Sequence, residues 1–283
     1  MEIRKAGIIL RKDSPAPRRI GEELVAWLAD RGVKAEIDLI RPDQDLLIVL
    51  GGDGTLLHVA AEAAGHGIPV LGINLGGLGF LTEVAVDERY PALEEMLASE
   101  ALIEERMMLK ARLRQGETVS AWQYALNDVV ISKGATAQLI DLAVWADSAY
   151  IATYRADGLI FATPTGSTAY NLSAGGPIVQ PRLRAMLVTP ICPFMLGSRP
   201  VLLDGASRLQ VSQTDGRDNE AAQVIVDGRP AWEMNGGASL EVVAAKHPLR
   251  LVCSPSQGYF EILRGKLHWG GCHQDSHPLC PQP

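Results

Sequence analysis

Hydrophobic positions change their spacing once along the chain, near residue 105. Before that point, uncharged branched runs such as Leu46–Leu50 alternate with longer amphipathic stretches such as residues 20–31. The runs are typical of strands buried on both faces of a parallel sheet, and the amphipathic stretches predict helices. We therefore expect an N-terminal doubly wound, Rossmann-like α/β domain that binds ligands at the carboxyl ends of its strands.

The first part of the chain predicts strands and helices in alternation. The strands are expected at residues 6–10, 46–50 and 69–73. The helices are expected at residues 20–31, 55–64 and 87–99. Gly32 and Gly65 are predicted to follow the ends of the first two helices, and Asp87 is predicted to cap the third.

After residue 105 the period becomes two. Leu109, Ala111 and Leu113 alternate with charged residues, which is typical of a strand with one buried face. The same rhythm predicts strands at residues 140–144, 150–154, 209–211, 224–226 and 240–243. We therefore predict a β-rich, sandwich-like domain of mostly antiparallel strands over residues 105–249, following an α/β domain over residues 1–104.

The residues between the run Leu46–Leu50 and the next helix suggest phosphate chemistry. They are Gly51-Gly52-Asp53-Gly54-Thr55. Glycines permit a tight turn, and a helix start offers unpaired N–H groups to an anion. A carboxylate repels phosphate unless a metal bridges the two or the carboxylate takes a proton from an attacking hydroxyl. The turn favours phosphoryl transfer with Asp53 as general base, and an ordinary turn with Asp53 as N-cap is the alternative.

A second polar segment follows a predicted strand at residues 159–162. Residues 163–177 read Thr-Pro-Thr-Gly-Ser-Thr-Ala-Tyr-Asn-Leu-Ser-Ala-Gly-Gly-Pro, a dense set of hydroxyl side chains beside an aromatic ring. Hydroxyls and exposed backbone suit hydrogen bonds to sugar hydroxyls and to a purine edge, and Tyr170 offers a stacking face. A long loop with a capped helical turn is the alternative.

Together these segments resemble the signature blocks of bacterial NAD kinases, the ATP/polyphosphate NAD kinase family. The blocks are the turn at residues 51–55, Asn127-Asp128 between apolar flanks, and residues 157–177, in the family's order. The first block is shared with diacylglycerol and sphingosine kinases, whereas the long third block is specific. The resemblance covers residues 8–269 and implies that residues 250–270 return to the first domain.

The resemblance implies that Asp53 activates the 2′-hydroxyl of the adenosine ribose of NAD, with Mg²⁺ carried on the donor phosphates. Asn127 and Asp128 form a neutral–anionic pair suited to ribose hydroxyls, although an Asn-Asp turn is the commoner use of that dipeptide. Asp227 is either a second carboxylate near the reacting ribose or part of a strand-end turn. The full set of candidate binding residues is Gly51, Gly52, Asp53, Gly54, Thr55, His58, Asn127, Asp128, Arg155, Asp157, Thr168, Ala169, Tyr170, Asn171, Ser173 and Asp227.

Two positions depart from the family pattern. Arg229 stands where members often carry Gln, and Phe194 stands where they often carry His. Arg229 brings a fixed positive charge, and Phe194 removes a hydrogen-bonding group. The sequence therefore leaves open the preference between NAD and NADH and between ATP and polyphosphate.

Composition argues against several partners. The 283 residues carry a net charge of −7, which disfavours a nucleic-acid partner. The longest uncharged stretch, residues 185–198, is too short and too rich in proline for a membrane span. The first residues lead into an apolar run too short for a signal peptide. We expect a cytoplasmic protein without a membrane partner, and the resemblance implies a homo-oligomer, either a dimer or a tetramer.

The last residues carry four potential zinc ligands, Cys272, His273, His277 and Cys280. Closed zinc sites usually show better-separated ligand pairs, and Gly270-Gly271 indicates a boundary. We therefore predict that residues 271–283 form a disordered tail and assign no metal ligands, with a metal site in the tail as the alternative.

These observations predict an NAD kinase that makes NADP from NAD and ATP, with polyphosphate as an alternative donor. A lipid or sphingoid-base kinase that shares the 51–55 turn is the enzyme alternative, and it predicts an apolar substrate pocket and a basic membrane-facing surface. A dinucleotide-sensing module with a degenerate donor site is the non-enzyme alternative, which the intact Asp53 argues against.

Overall fold

The structure, a computed structural model, describes residues 2–11, 16–77, 79–98, 101–134, 138–214, 221–254 and 258–268. Its helices are α1 Ala16–Ala29, α2 Asp53–His66, α3 Arg89–Leu97, α4 Tyr170–Ser173 and α5 Tyr259–Leu267. Its strands are β1 Lys5–Leu10, β2 Lys34–Ile37, β3 Leu46–Leu50, β4 Val70–Asn74, β5 Val84–Ala85, β6 Ile103–Arg106, β7 Leu109–Gln115, β8 Thr118–Val119, β9 Gln123–Ala125, β10 Asp128–Ser132, β11 Ile140–Ala146, β12 Ala149–Ala156, β13 Gly158–Ala162, β14 Ala185–Ile191, β15 Val201–Asp204, β16 Leu209–Gln213, β17 Ala222–Val226, β18 Arg229–Met234, β19 Ser239–Ala244 and β20 Leu249–Val252.

The chain forms two compact units. Unit 1 consists of Met1–Leu56, Val70–Ile103 and Leu251–Pro283. Unit 2 consists of Leu57–Pro69 and Glu104–Arg250. The helix α2 therefore begins in unit 1, and the greater part of it groups with unit 2.

Unit 1 is built on parallel strands in the order β2-β1-β3-β4-β20, with β5 beside β4. The central strand β3 is buried along its whole length, as its apolar run predicts. Leu24 and Leu28 of α1 and Leu93 of α3 pack in one core with Ile8 and Ile48 of the sheet. The predicted α/β architecture of the first domain is confirmed, and β20 confirms that the chain returns to it.

Two glycines end helices by adopting a left-handed backbone conformation. Gly32 has φ +77° after α1, as predicted. The predicted stop at Gly65 is wrong, because α2 continues through Gly65 to His66. The stop is Gly67, which has φ +68° and whose N–H donates to the Ala64 carbonyl at 3.1 Å.

Helix α3 begins two residues after the predicted start at Asp87. Asp87 lies inside a 3₁₀ turn, Val86–Glu88, and does not cap the helix. The residue before α3 is Glu88, and its side chain makes no capping hydrogen bond. The prediction failed because the sequence does not distinguish a carboxylate in a 3₁₀ turn from one at the helix start.

Unit 2 contains two antiparallel sheets, as predicted. One has the order β15-β14-β13-β10-β17-β18, and the other has the order β12-β11-β16-β19-β7-β8 with β9 beside β7. Their inner faces share one hydrophobic core, in which Phe161 of β13 is fully buried among residues of both sheets, including Val129, Leu142 and Val211. Truncation of a buried Phe typically costs about 3–5 kcal/mol of stability.

The sheet that contains β10 and β13 is covered on its second face as well. Val130 and Ile160, which point away from the main core, pack with Val179 and Leu187 in a smaller cluster. Burial on both faces explains why β10 and β13 appear in the sequence as uninterrupted apolar runs. Polar residues that follow these strands are therefore held at the ends of a rigid sheet.

Candidate functional site

The turn after β3 is shaped by its neighbours in unit 1. The N–H of Gly51 donates to the Ile73 carbonyl at 3.0 Å, and a Cβ at Gly51 would overlap the Thr55 hydroxyl. A Cβ at Gly52 or at Gly54, by contrast, would meet nothing within 4 Å. Local packing does not require these two glycines, and the space beside their backbone is open to a ligand.

A cavity of about 370 Å³ opens beside this turn, within unit 1. Its carboxylate is that of Asp53, and its cations are Arg11 and Lys266. Backbone of the turn and of the glycine-rich loop after β4 forms much of the remaining wall, together with Pro17 and Leu75. The other lining residues are Gly51, Gly52, Asn74, Gly76, Gly77 and Gly79. This combination of N–H groups and cations suits a chain of phosphates.

Four hydrogen bonds hold the Asp53 carboxylate. Oδ2 accepts from the N–H of Phe80 at 2.9 Å. Oδ1 accepts from the N–H of Leu81 at 3.1 Å and from both the N–H and the hydroxyl of Thr82 at 3.0 Å. A Cβ at Gly79 would overlap Oδ1, so this close approach requires a glycine. The side chain is therefore fixed against the loop, and Oδ2 carries fewer hydrogen bonds than Oδ1.

The contact between Asp53 and Thr82 extends one residue further into the protein. The amide Nδ2 of Asn74 donates to the Thr82 hydroxyl at 2.8 Å, and Asn74 Oδ1 accepts from the N–H of Gly76 at 2.7 Å. Thr82 is fully buried and Asn74 is 5% exposed. The chain Asn74–Thr82–Asp53 fixes the orientation of the carboxylate from the interior of unit 1.

In unit 2 the structure brings together three predicted site residues. The Asp227 carboxylate accepts from the backbone N–H groups of Leu126 at 2.7 Å, Asn127 at 2.8 Å and Asp128 at 3.1 Å. The N–H of Asp227 donates in return to the Asp128 carbonyl at 3.0 Å. Asp227 has φ +46°, a left-handed conformation that is uncommon outside glycine. Its carboxylate is thus occupied in holding the turn before β10.

The Asp128 carboxyl is in the opposite situation. It is 6% exposed, and within the described part of the chain no hydrogen bond reaches it. Burial, and secondarily the nearby charge of Asp227, raise its pKa to about 7. Burial also raises the pKa of Asp227, opposed by its three backbone hydrogen bonds. The raised pKa of Asp128 means that its neutral, protonated form persists to a higher pH than that of an ordinary carboxyl, so the pair can also present two neutral groups.

The segment 163–177 is anchored beside the same turn. Thr163 donates through its hydroxyl to the Leu126 carbonyl at 2.6 Å and through its N–H to the Asn127 carbonyl at 2.9 Å. A Cβ at Gly166 would overlap the Asn127 carbonyl, which explains that glycine. The side-chain amide of Asn127 is half-buried and has no hydrogen-bond partner among the described residues, so it is available to a ligand.

The predicted residues of this segment divide into two groups. Asn171 is fully buried, and its amide contacts the carbonyls of Ser167 and Pro177 and the hydroxyl of Thr189. Its side chain is thereby used within the protein. Tyr170 is 47% exposed and Ser173 is exposed, while Thr168 and Ala169 are half-buried. This second group is placed to reach a ligand in solution.

The remaining predicted residues lie elsewhere in unit 2. Arg155 is exposed, with its guanidinium 5.8 Å from the centre of the Phe194 ring. Asp157 forms an ion pair with Lys133 at 2.5 Å. His58 is exposed on α2, and Arg229 is exposed at the start of β18. The structure does not bring these four residues into hydrogen-bonded contact with one another.

Asn74 and the glycines after it were expected either to shape the donor or dinucleotide side or to form a plain loop, and they line or adjoin the cavity. Other residues of the unit 1 cavity or its support were not predicted, among them Arg11, Thr82 and Lys266. The glycine-rich run after β4, followed by the polar Thr82, could have indicated that this loop contributes to the site. No sequence signal identifies Lys266, because α5 resembles any amphipathic helix.

No group of three or more His, Cys, Asp or Glu side chains in the described ranges is arranged to hold a metal. The predicted ligands of the tail, Cys272, His273, His277 and Cys280, lie outside the described residues. No helix in the described part of the chain is long and apolar enough to cross a membrane.

Two sequence-family models match the chain. The ATP-NAD kinase N-terminal domain matches residues 29–101, and the ATP-NAD kinase C-terminal domain matches residues 126–254. A protein named NAD kinase from Geotalea daltonii is 42% identical over 95% of this chain and 99% of its own length. Another from Heliobacterium modesticaldum is 44% identical over 93% of this chain and 98% of its own length.

Two solved structures resemble the fold. Yeast NADH kinase complexed with NADH has a TM-score of 0.86 at 26% identity, covering 98% of this chain and 91% of its own. An NAD kinase from Archaeoglobus fulgidus in complex with ATP has a TM-score of 0.74, covering 93% of this chain and 98% of its own. Its 23% identity supports a shared fold alone.

Proposed function

The chain belongs to the NAD kinase family, and we propose that it transfers the γ-phosphoryl group of ATP to the 2′-hydroxyl of the adenosine ribose of NAD, making NADP. The observation that carries this proposal is the unit 1 cavity, where one fixed carboxylate stands among glycine backbone and two cations. Phosphoryl transfer depends on positioning and on charge stabilisation, and such a cavity provides both.

Asp53 is the proposed general base, acting through Oδ2. This oxygen accepts one hydrogen bond, whereas Oδ1 accepts three, so Oδ2 retains capacity for a proton. The ribose 2′-hydroxyl gives its proton to Oδ2 while its oxygen bonds to the γ-phosphorus. The bond from that phosphorus to the bridging oxygen breaks, and ADP leaves with the electron pair. The chain Asn74–Thr82 keeps the carboxylate in one orientation throughout.

We assign the dinucleotide to residues 105–249, and the donor to residues 1–104 together with residues 250–270. The free amide of Asn127, the carboxyl of Asp128 and the exposed ring of Tyr170 are the proposed contacts to ribose and base. Thr168, Ala169, Ser173, Arg155, Asp157 and His58 are proposed to lie around them. Asp227 and Asn171 act by holding these residues in place, because their polar atoms are already hydrogen-bonded.

Magnesium is proposed to arrive on the donor phosphates. Mg²⁺ usually keeps several waters and binds mainly through substrate phosphates, so it requires no dedicated protein cage. Bound there, it would neutralise charge on the phosphates and so favour attack on the γ-phosphorus.

We also propose a homo-oligomer in the cytoplasm. Phe194, Met195 and Leu196 of unit 2 are 67%, 61% and 89% exposed, and adjoining apolar side chains of this size usually become covered. Cys192 and Cys253 form no disulfide bond among the described residues, in keeping with a reducing compartment. Sedimentation at several protein concentrations tests the oligomer.

The test of the function is NADP formation by the purified protein with NAD, ATP and Mg²⁺, read with an NADP-specific dehydrogenase. NADH and polyphosphate replace NAD and ATP in parallel reactions, which addresses the preferences that Arg229 and Phe194 leave open. NAD binding without product would favour the sensing module. Phosphorylation of diacylglycerol in vesicles, without NADP, would favour the lipid kinase.

A further inference from the structure

Arg11 and Lys266 line the unit 1 cavity from residues far apart in the sequence. Arg11 directly follows β1, and its N–H donates to the Leu50 carbonyl at 3.0 Å, which fixes its backbone at the end of β3. Lys266 lies near the end of α5, with its Nζ atom 6.0 Å from the centre of the Phe80 ring. Both cations are therefore attached to elements that border the turn at residues 51–55 and the loop that holds Asp53.

Neither cation has a hydrogen bond or an ion pair from its side chain to any described residue. Some other cations of unit 1 form ion pairs with a carboxylate: Lys5 with Asp43 at 2.5 Å, and Arg31 with Glu94 at 2.8 Å. Asp53 does not neutralise Arg11 or Lys266, since its hydrogen bonds come from the backbone and hydroxyl of residues 80–82. The cavity thus contains two cations that form no ion pair with a described carboxylate, beside its glycine backbone.

We propose that Lys266 and Arg11 hold the phosphate chain of the donor, with helix α5 completing the donor site. This inference rests on the proposed function, since it takes the anion to be the phosphoryl donor. Lys266 supplies a mobile point charge, and the Arg11 guanidinium supplies a planar fork that matches two phosphate oxygens. Of the described lining residues, two are cations and most of the others are glycines, a composition that suits phosphate oxygens.

The matched control lies on the same helix. Arg264 of α5 is exposed, carries the same charge and is not among the residues that line the cavity. The variants are Lys266→Gln, Arg11→Gln, the charge-preserving Lys266→Arg, and the control Arg264→Gln. Each is compared with the parent protein for KM of ATP, KM of NAD, thermal midpoint, and inhibition by inorganic tripolyphosphate as a competitor of ATP.

Loss of one charge-assisted contact should raise the KM for ATP about tenfold in Lys266→Gln and in Arg11→Gln. The KM for NAD and the thermal midpoint should remain unchanged, and tripolyphosphate should inhibit both variants more weakly by a similar factor. Lys266→Arg should recover most of the affinity for ATP. Arg264→Gln should behave as the parent protein.

An unchanged KM for ATP in both charge-removing variants would overturn the inference while leaving the proposed function intact. If the parent protein makes no NADP, the proposed function fails, and calorimetric titration with tripolyphosphate then decides the inference separately. Equal binding of tripolyphosphate by parent and by Lys266→Gln would overturn it. Weaker binding by Lys266→Gln but not by Arg264→Gln would support it.

Discussion

Asp53 and Asp128 are carboxyl groups at strand ends in the two units, and their surroundings are opposite. Asp53 follows β3 and accepts four hydrogen bonds from residues 80–82. Asp128 begins β10, is more deeply buried, and lies near the charge of Asp227 without a donor of its own in the described residues. The first carboxyl is held in one position as an acceptor, whereas the pKa of the second is raised, so its protonated form, which can also donate, persists to higher pH.

The difference shows how one residue type serves two purposes. In unit 1, backbone N–H groups of a loop orient the Asp53 carboxylate, so few side chains are needed for this purpose. The cavity can therefore be lined largely by glycines, whose N–H groups remain open to an anion. In unit 2 the N–H groups of residues 126–128 donate to Asp227, and the buried Asp128 carboxyl has no donor among the described residues, so its pKa is raised. Three substitutions test this contrast, from the largest expected effect to the smallest.

Asp53→Asn should remove the proposed base while keeping the size of the side chain. We expect turnover to fall about 10²-fold or more, the usual scale for loss of a general base. NAD affinity should be largely unchanged, because the proposed NAD contacts lie in unit 2. Steady-state kinetics and calorimetric binding of NAD measure the two effects. Asp30→Asn, at an exposed position after α1, is the control, and full activity of Asp53→Asn would remove this residue from the mechanism.

Asp128→Asn should change how stability depends on pH. A carboxyl whose pKa is raised on folding binds protons more tightly in the folded state, so its contribution to stability is greatest below pH 4 and is lost as pH rises to about 7. Between pH 5 and pH 7 we expect the parent protein to lose about 2 kcal/mol of unfolding free energy that the variant keeps. Urea unfolding of parent and variant at pH 5 and at pH 7 measures this change in unfolding free energy. Identical pH dependence in parent and variant would contradict the raised pKa.

Thr82→Val should weaken the support of Asp53 without touching the carboxylate. The variant loses a hydroxyl that donates to Asp53 and accepts from Asn74, so kcat should fall about tenfold with little change in KM. Thr82→Ser should restore kcat, because serine keeps the hydroxyl. Steady-state kinetics of both variants test whether the Thr82 hydroxyl supports Asp53. A loss of kcat in Thr82→Val that Thr82→Ser does not restore would indicate a packing defect instead.

Sequence reasoning located the 51–55 turn and the Asn127-Asp128 pair because each directly adjoins a continuous apolar strand. It also identified the period change that separates the α/β and β-rich parts. These signals are local, since a strand buried on both faces and a glycine-rich turn appear within ten consecutive residues.

The contacts of these residues with distant parts of the chain could not be predicted, for the opposite reason, although Asp227 itself was a candidate. Asp227 holds a turn that lies about a hundred residues earlier in the chain, Thr82 is separated from Asp53 by 29 positions, and Lys266 lies on a different segment of unit 1. The choice between Gly65 and Gly67 as the end of α2 also depends on backbone φ, which composition does not reveal. Contacts of this kind are fixed by topology and become visible when the sheets are assembled.

The overlap that any Cβ at position 79 would make with Asp53 Oδ1 has a consequence for protein engineering. The five-residue turn is not a portable module, because its carboxylate is oriented by a loop from the next strand. A graft of residues 51–55 alone onto another parallel sheet would keep the anion-binding backbone but would lose the contacts that orient the Asp53 carboxylate. A transplant that preserves chemistry needs two consecutive strand–loop segments, with glycine at the position where the loop crosses the turn.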